Sequence, residues 1–368
     1  MALLAASARA PPFDTSFSIG VDWSSASPLP TFNFSVRQLN AIVWPEDNHT
    51  YAFADIVPFD NPYYPASYSS AIGVYSSPNG HTEWHYHGIV LAAQAGSWSA
   101  GGVATPGAAV VRRGSAATVL VSYTAESQPG GRGTRGIGLL SSRHPLGPFQ
   151  ALPEPALGLY GTCQSDDSQL VTGGQGESLS RVDVFHRLRR NGVNGSVHCG
   201  LDELNCSKGD CVVHRVSTDG GVSWGPAQMA QHSTPEGWVS GVWPLQELFD
   251  IKWAGDRLVR VNDNWSAQTP CAGKCLLVYL SSGSRAGLQW WLANPPTLQA
   301  SVFATGAPTD LAPDQITPQL AFIPDATGRI TFMSVARFTN ASAPGGGMPP
   351  VGKVGAFTHF VHRLAHFG

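Results

Sequence analysis

Charge is scarce in this chain. Only 13% of its 368 residues are Asp, Glu, Lys or Arg, about half the ~25% usual for soluble domains. The net charge is -3, so there is no basic surplus of the kind that neutralises nucleic-acid phosphates. No apolar run reaches the roughly 18 residues that a membrane-spanning helix needs. Nor does any stretch sustain a long 3.6-residue apolar period, which argues against a helical domain. Gly (41) and Pro (28) are plentiful but scattered, without the period of a collagen. With 42% hydrophobic residues a sizeable core is available, and the composition describes short strands joined by many tight turns.

Six N-x-Ser/Thr sequons, at Asn33, Asn48, Asn194, Asn205, Asn264 and Asn340, exceed the roughly two that chance would supply. They favour a secretory, extracellular localisation. The six cysteines (Cys163, Cys199, Cys206, Cys211, Cys271 and Cys275) fit disulfides in that compartment. The preferred local pair is Cys271–Cys275, with Cys163 joining one of Cys199, Cys206 and Cys211. The rival is a zinc site from His198, Cys199, Cys206, Cys211 and His214, but its spacing lacks paired Cys-x-x-Cys knuckles. Residues 1–12 read as a signal-peptide remnant or tail, because Ala8-Arg9-Ala10 precedes Pro11 as in a cleavage pattern.

A phrase recurs: a strand, a Ser-Ser or Ser-Thr pair, a glycine turn, then an aromatic. Its copies are Val74–Trp84, Leu139–Phe149, Val216–Trp224 and Tyr279–Trp290, about 65 to 75 residues apart. Apolar β-rich runs precede each copy, at Thr50–Ile56, Thr118–Thr124, Val182–Leu188 and Arg257–Val261, with a fifth at Arg329–Ala336. Shorter runs come before those, at Asn40–Trp44, Gly107–Val111, Ser168–Val171, Asp250–Trp253 and Gln319–Ile323. Five units of four strands predict an all-β fold over residues 13–368: a single five-bladed β-propeller of antiparallel blades. An N-terminal strand near Phe17–Val21 is expected to complete the last blade.

Ser217-x-Asp219-x-Gly221-x-x-Trp224 matches the Asp-box of sialidase-type propellers. Tyr123-Thr124-Ala125, Ile137-Gly138-Leu139, Ser141-Ser142 and Pro145–Phe149 resemble the second blade of five-bladed glycoside hydrolases of the arabinanase/β-xylosidase and invertase/levanase type. Ser76–Trp84 followed by Gly88–Leu91 resembles their first-blade hairpin. The resemblance implies two carboxyl groups flanking a glycosidic bond, one of them kept protonated by burial or a neighbouring charge, placed near the starts of innermost strands. Asn40 and Gly107 stand where those families carry Asp, and neither transfers protons. The remaining acids give the candidate catalytic set Asp167, Glu247 and Asp22, with Asp166 and Asp250 as near rivals. If extended, Asp166 and Asp167 point to opposite faces. Trp98, Tyr160 and Trp243, just before innermost strands, are candidates to stack on sugar rings, and His186 and Arg187 are further pocket candidates.

Several motifs are set aside. Gly131–Gly136 fits G-x-G-x-x-G but opens a strand rather than a phosphate-cradling helix. Gly221–Gly225 fits G-x-S-x-G inside a turn, without the nucleophile elbow. His81, His85 and His87 read as edge histidines before they read as metal ligands. Arg112 and Arg113 do not make a carboxylate-holding arginine cluster. The expected activity is that of a secreted glycoside hydrolase with a carbohydrate partner, no nucleic acid and no membrane span. No cofactor is expected, though the reading leaves room for a structural calcium ion on the propeller axis. The alternative function is a non-catalytic glycan-binding propeller.

Overall fold

The structure, a computed structural model, describes residues 21–30, 34–58, 70–128, 134–153, 155–157, 163–172, 178–190, 211–229, 248–254, 257–262, 277–281, 290–292, 316–324, 330–337 and 357–364. Every regular element among them is a strand, and no helix there is long and apolar enough to cross a membrane.

The strands form five four-stranded antiparallel sheets. The first contains β2 (Phe34–Val43), β3 (Thr50–Pro58), β4 (Ala71–Ser77) and β5 (His85–Leu91) in that order. The second contains β6 (Gly102–Arg113), β7 (Ala116–Glu126), β8 (Arg135–Ser142) and β9 (Gln150–Ala151). The third contains β10 (Cys163–Thr172), β11 (Val182–Arg190), β12 (Cys211–Ser217) and β13 (Gln228–Met229). The fourth contains β14 (Leu248–Ala254), β15 (Arg257–Asn262), β16 (Leu277–Ser281) and β17 (Trp290–Leu292). In the last, β18 (Ile316–Pro324), β19 (Ile330–Arg337) and β20 (Phe357–Leu364) are joined at the edge by β1 (Val21–Pro28). The N-terminal strand thus completes the C-terminal sheet, a few residues later in sequence than expected, with Val21 opposite Leu364 and Pro28 opposite Phe360.

The first strand of each sheet lies beside the first strand of the next. β2 packs against β6, β6 against β10, β10 against β14, β14 against β18, and β18 back against β2. This radial arrangement is that of a β-propeller, in which the core lies between sheets. Ile42, Trp44, Phe53 and Ile72 of the first sheet interlock with Val103, Val119, Val121 and Leu140 of the second. Phe149 meets Phe53 edge-on, with ring centroids 5.8 Å apart. Between the second and third sheets, Val111, Leu120, Ile137 and Leu139 meet Leu170, Val182 and Val184. Each such buried side chain contributes about 1.5–3 kcal/mol.

The repeated Ser phrase is a hairpin brace. In the third sheet Asp219 Oδ1 accepts the Ser217 hydroxyl at 2.7 Å and the backbone N–H groups of Val222 (3.0 Å) and Ser223 (2.9 Å), while Oδ2 accepts the Ser223 hydroxyl. Gly220 and Gly221 supply φ of 74° and 82°, which only glycine adopts freely. In the first sheet Asn79 Oδ1 does the same work, accepting from Ser77, His81 and Thr82. In the second, His144 Nδ1 accepts the Leu146 N–H. Three residue types at one step share one ability, to accept from the turn backbone.

The Ser223 hydroxyl and backbone N–H, with Ser217 and Val222 adding to them, hold the Asp219 carboxyl well below the usual carboxylate range. Since its folded pKa lies below the unfolded one, its contribution is present above the unfolded value and is lost as pH falls through the folded value. The hairpin is therefore insensitive to pH near neutrality and loosens only in strong acid. Asp219→Ala is expected to destabilise by about 1–2 kcal/mol, and Asp219→Asn by much less because Asn79 already performs the role. Thermal unfolding of the two variants checks this, and equal losses would refute the brace.

Candidate functional site

Every innermost hairpin breaks register near its start. The breaks fall between Val36 and Leu39, Ala104 and Gly107, Asp166 and Gln169, Leu248 and Asp250, and Thr317 and Leu320. Bulges re-aim side chains and concentrate beside functional sites. In the second and third sheets the first extra residue is left-handed: Thr105 at φ 50° and Asp167 at φ 48°. Asp tolerates this region, but for a β-branched Thr it is a true outlier, costing of order 1–3 kcal/mol. The surrounding contacts must hold it there.

Those contacts form a buried polar layer across three sheets. Thr105 Oγ1 donates to Thr124 Oγ1 at 2.6 Å, and the Asp167 backbone N–H donates to the same oxygen at 3.0 Å. One step further on, Ser168 Oγ donates to Ser122 Oγ at 2.8 Å, and Ser122 Oγ donates to the Gly107 carbonyl at 3.3 Å. Asn40 of β2 donates its amide to Gln169 Oε1 of β10 at 2.5 Å, although β6 lies between those strands in the ring. Asn40, Ser122, Thr124, Ser165 and Ser168 are fully buried, and Asp167 is 1% exposed. A carboxyl group thus sits inside the protein at the left-handed step of an innermost strand.

Thr124 links both left-handed residues. Thr124→Val removes the shared acceptor at constant shape and is expected to cost about 1–3 kcal/mol. Thr124→Ser keeps the oxygen and most of the stability. Denaturant unfolding distinguishes them, and equal stability of the Val variant would show that the hydroxyl carries no weight.

Gly107 is explained by packing. A Cβ there would lie 2.5 Å from the Ser168 carbonyl oxygen, 2.7 Å from Ser122 Oγ and 2.9 Å from Gln169 Cα. Its absence lets the second and third innermost strands approach.

The other expected residues are placed as follows. Asp166 pairs in register with Arg187, and because Asp167 occupies the bulge, simple alternation does not govern the two adjacent acids. Asp250 is the first paired residue after its own bulge, opposite Val261. Asp22 lies on β1, opposite Arg363, at the outermost edge of its sheet. Three strand spacings, about 14 Å, separate that edge from the innermost strand of the same sheet. His186 faces the third-sheet bulge from β11 and is fully buried. Trp98 is half-buried and stacks on Tyr123 at 5.8 Å. One face of its ring is thereby committed to the core, and burial pushes the Tyr123 hydroxyl up to about 12. Glu247, Tyr160, Trp243, residues 1–12, Cys199, Cys206, Cys271 and Cys275 lie outside the described residues.

The remaining polar motifs have structural partners. His214 Nε2 is 2.7 Å from Asp183 Oδ1, and its ring stacks on Phe185. His85 and His87 are exposed on β5, the edge strand of the first sheet. Gly136 lies within β8, not at a helix start. Among the described residues no group of three or more His, Cys, Asp or Glu gathers to hold a metal.

Sequence reasoning missed Thr105, Ser122, Thr124, Ser168 and Gln169. Ser and Thr within strands carry no distinctive pattern. One signal was available: Pro106 inside an apolar strand marks a bulge.

Neither the protein-family models nor the curated proteins contain a match to this chain. Solved structures do match. A family 117 glycoside hydrolase from the marine bacterium Zobellia galactanivorans aligns over 94% of this chain and 91% of its own, with TM-score 0.58 and 15% identity. A GH43_1 enzyme from Xanthomonas citri complexed with xylotriose aligns over 92% and 89%, with TM-score 0.59 and 13% identity. An endo-arabinase from Bacteroides thetaiotaomicron aligns over 96% and 98%, with TM-score 0.54 and 14% identity. At these identities the likeness is one of fold, and the fold is a β-propeller.

Proposed function

We propose that the chain is a secreted five-bladed β-propeller, one blade per sheet, that cleaves glycosidic bonds in an oligosaccharide or polysaccharide. The observation that carries the reading is Asp167: a carboxyl group 1% exposed, at a left-handed bulge residue on an innermost strand. Bulges of this kind re-aim side chains and concentrate beside functional sites. The structures of like fold include a family 117 glycoside hydrolase and a GH43_1 enzyme complexed with xylotriose, which supports a sugar substrate. Secretion rests on the sequons and the even cysteine count.

In this reading Asp167 is one of a carboxyl pair, and the fourth blade supplies the other from Glu247 or Asp250. One acid protonates the departing glycosidic oxygen. The other stabilises or attacks the oxocarbenium-like centre, directly or through water. Glycan binding without turnover is the second reading, favoured by Asn40 and Gly107, neither of which transfers protons at neutral pH.

A hydrolysis screen on xylo-, arabino- and algal oligosaccharides, run beside a binding measurement on the same panel, tests both. Turnover lost in Asp167→Asn and Glu247→Gln supports the first reading. Binding with no turnover in the wild type supports the second, and neither binding nor turnover removes both.

A further inference from the structure

The turn between β2 and β3 lies at the opposite end of the innermost strand from the bulge, since β2 runs from Phe34 past the bulge at Val36–Leu39 to Val43. The turn is braced without the side chain of Asn48. Trp44 N–H donates to the His49 carbonyl at 2.8 Å, and Asn48 N–H donates to the Trp44 carbonyl at 2.9 Å. Asp47 Oδ1 accepts the His49 N–H at 2.8 Å, and Asp47 Oδ2 accepts the Tyr51 hydroxyl at 2.7 Å. Asn48 itself takes φ 58° and is exposed. Asn is among the few residues that enter this region readily, so the turn needs this residue type for its backbone and leaves the amide in solvent. Asn48-His49-Thr50 is a complete sequon.

We infer that Asn48 carries an N-linked glycan on the face of the wheel away from the bulged strand starts. The inference rests on the secretory part of the proposed function and on neither of its two activities. Thr50 is fully buried at the start of β3, and the acceptor sequence must present its hydroxyl during transfer, so attachment precedes closure of the β2–β3 hairpin. The donor is a lipid-linked oligosaccharyl diphosphate. The sugar C1–O bond breaks, the C1–Nδ2 bond forms, the amide gives up one proton, and the lipid diphosphate departs. In the folded chain the glycan stands on an exposed turn, where it displaces no described hydrogen bond.

The test is expression of the full chain in a eukaryotic secretory host, followed by peptide mapping after amidase deglycosylation in heavy-oxygen water. The peptide containing residue 48 is expected to carry a labelled aspartate. Asn48→Asp and Asn48→Gly both preserve the left-handed turn, and each is expected to lose one glycosidase-sensitive mobility step while remaining secreted. An unlabelled Asn48 beside labelled peptides from other sequons would overturn the inference and leave secretion standing. No label at any sequon would overturn both. Either result leaves the hydrolysis screen, and hence the activity, to be judged separately.

Discussion

Asp167→Asn is expected to lower kcat/KM on whichever glycan the wild type cleaves by about 100- to 10,000-fold, the range over which a positioned acid or base contributes. The substitution is chosen to preserve everything else. Asn tolerates the left-handed backbone at φ 48° as Asp does. It also retains the backbone N–H that donates to Thr124 Oγ1. The variant should therefore unfold close to the wild type, and its near-ultraviolet dichroism should be unchanged. Asp166→Asn is the control. Asp166 precedes the bulge, in ordinary register with Arg187, and its loss should cost far less turnover. Wild-type rates in a folded Asp167→Asn protein would end the assignment of this carboxyl to chemistry. Equal losses in both variants would point instead to a disturbance of the whole strand.

The contrast between those neighbouring acids shows where sequence patterning works and where it fails. The second strands were legible: the runs at Thr50, Thr118, Val182 and Arg257 begin within two residues of β3, β7, β11 and β15. β3 and β7 are mostly apolar and buried along most of their length, as strands packed on both faces require. The innermost strands were read too short. β2, β6 and β10 begin at Phe34, Gly102 and Cys163, several residues before the apolar runs at Asn40, Gly107 and Ser168. Their first halves hold Gln38, Thr105-Pro106 and Ser165-Asp166-Asp167, polar residues around a bulge that resets the two-residue period. The half of each strand that departs from the local rules is the half that carries the candidate site. Chain closure was legible in kind, because a last unit short of a strand requires one from elsewhere. Its placement was not, because Val21–Pro28 (VDWSSASP) lacks an apolar alternation. Asp22, expected among the candidate acids, lies on this edge strand, opposite Arg363.

Gly107→Asp is the substitution that a reading by family resemblance would make to restore a missing carboxylate, and it is expected to unfold the protein's centre without creating activity. The obstacle is backbone. At Gly107 the added Cβ would lie 2.5 Å from the Ser168 carbonyl oxygen and 2.9 Å from Gln169 Cα, and neither can move unless β10 moves. That strand is tied to β7 through Ser168–Ser122 and Asp167–Thr124, and to β2 through Gln169–Asn40. Relieving the clash therefore breaks several buried hydrogen bonds together. Overpacking alone costs about 1–3 kcal/mol, and each buried polar group left without its partner adds about 1–3 kcal/mol. Gly107→Ala carries the same Cβ without the charge and should already show most of the loss. Denaturant unfolding of the pair measures it. If Gly107→Ala is as stable as the wild type, the second and third sheets have room to separate, and the close approach around Asp167 is not enforced there. If Gly107→Asp folds and gains turnover, the carboxylate pair lies between the second and third blades rather than the third and fourth.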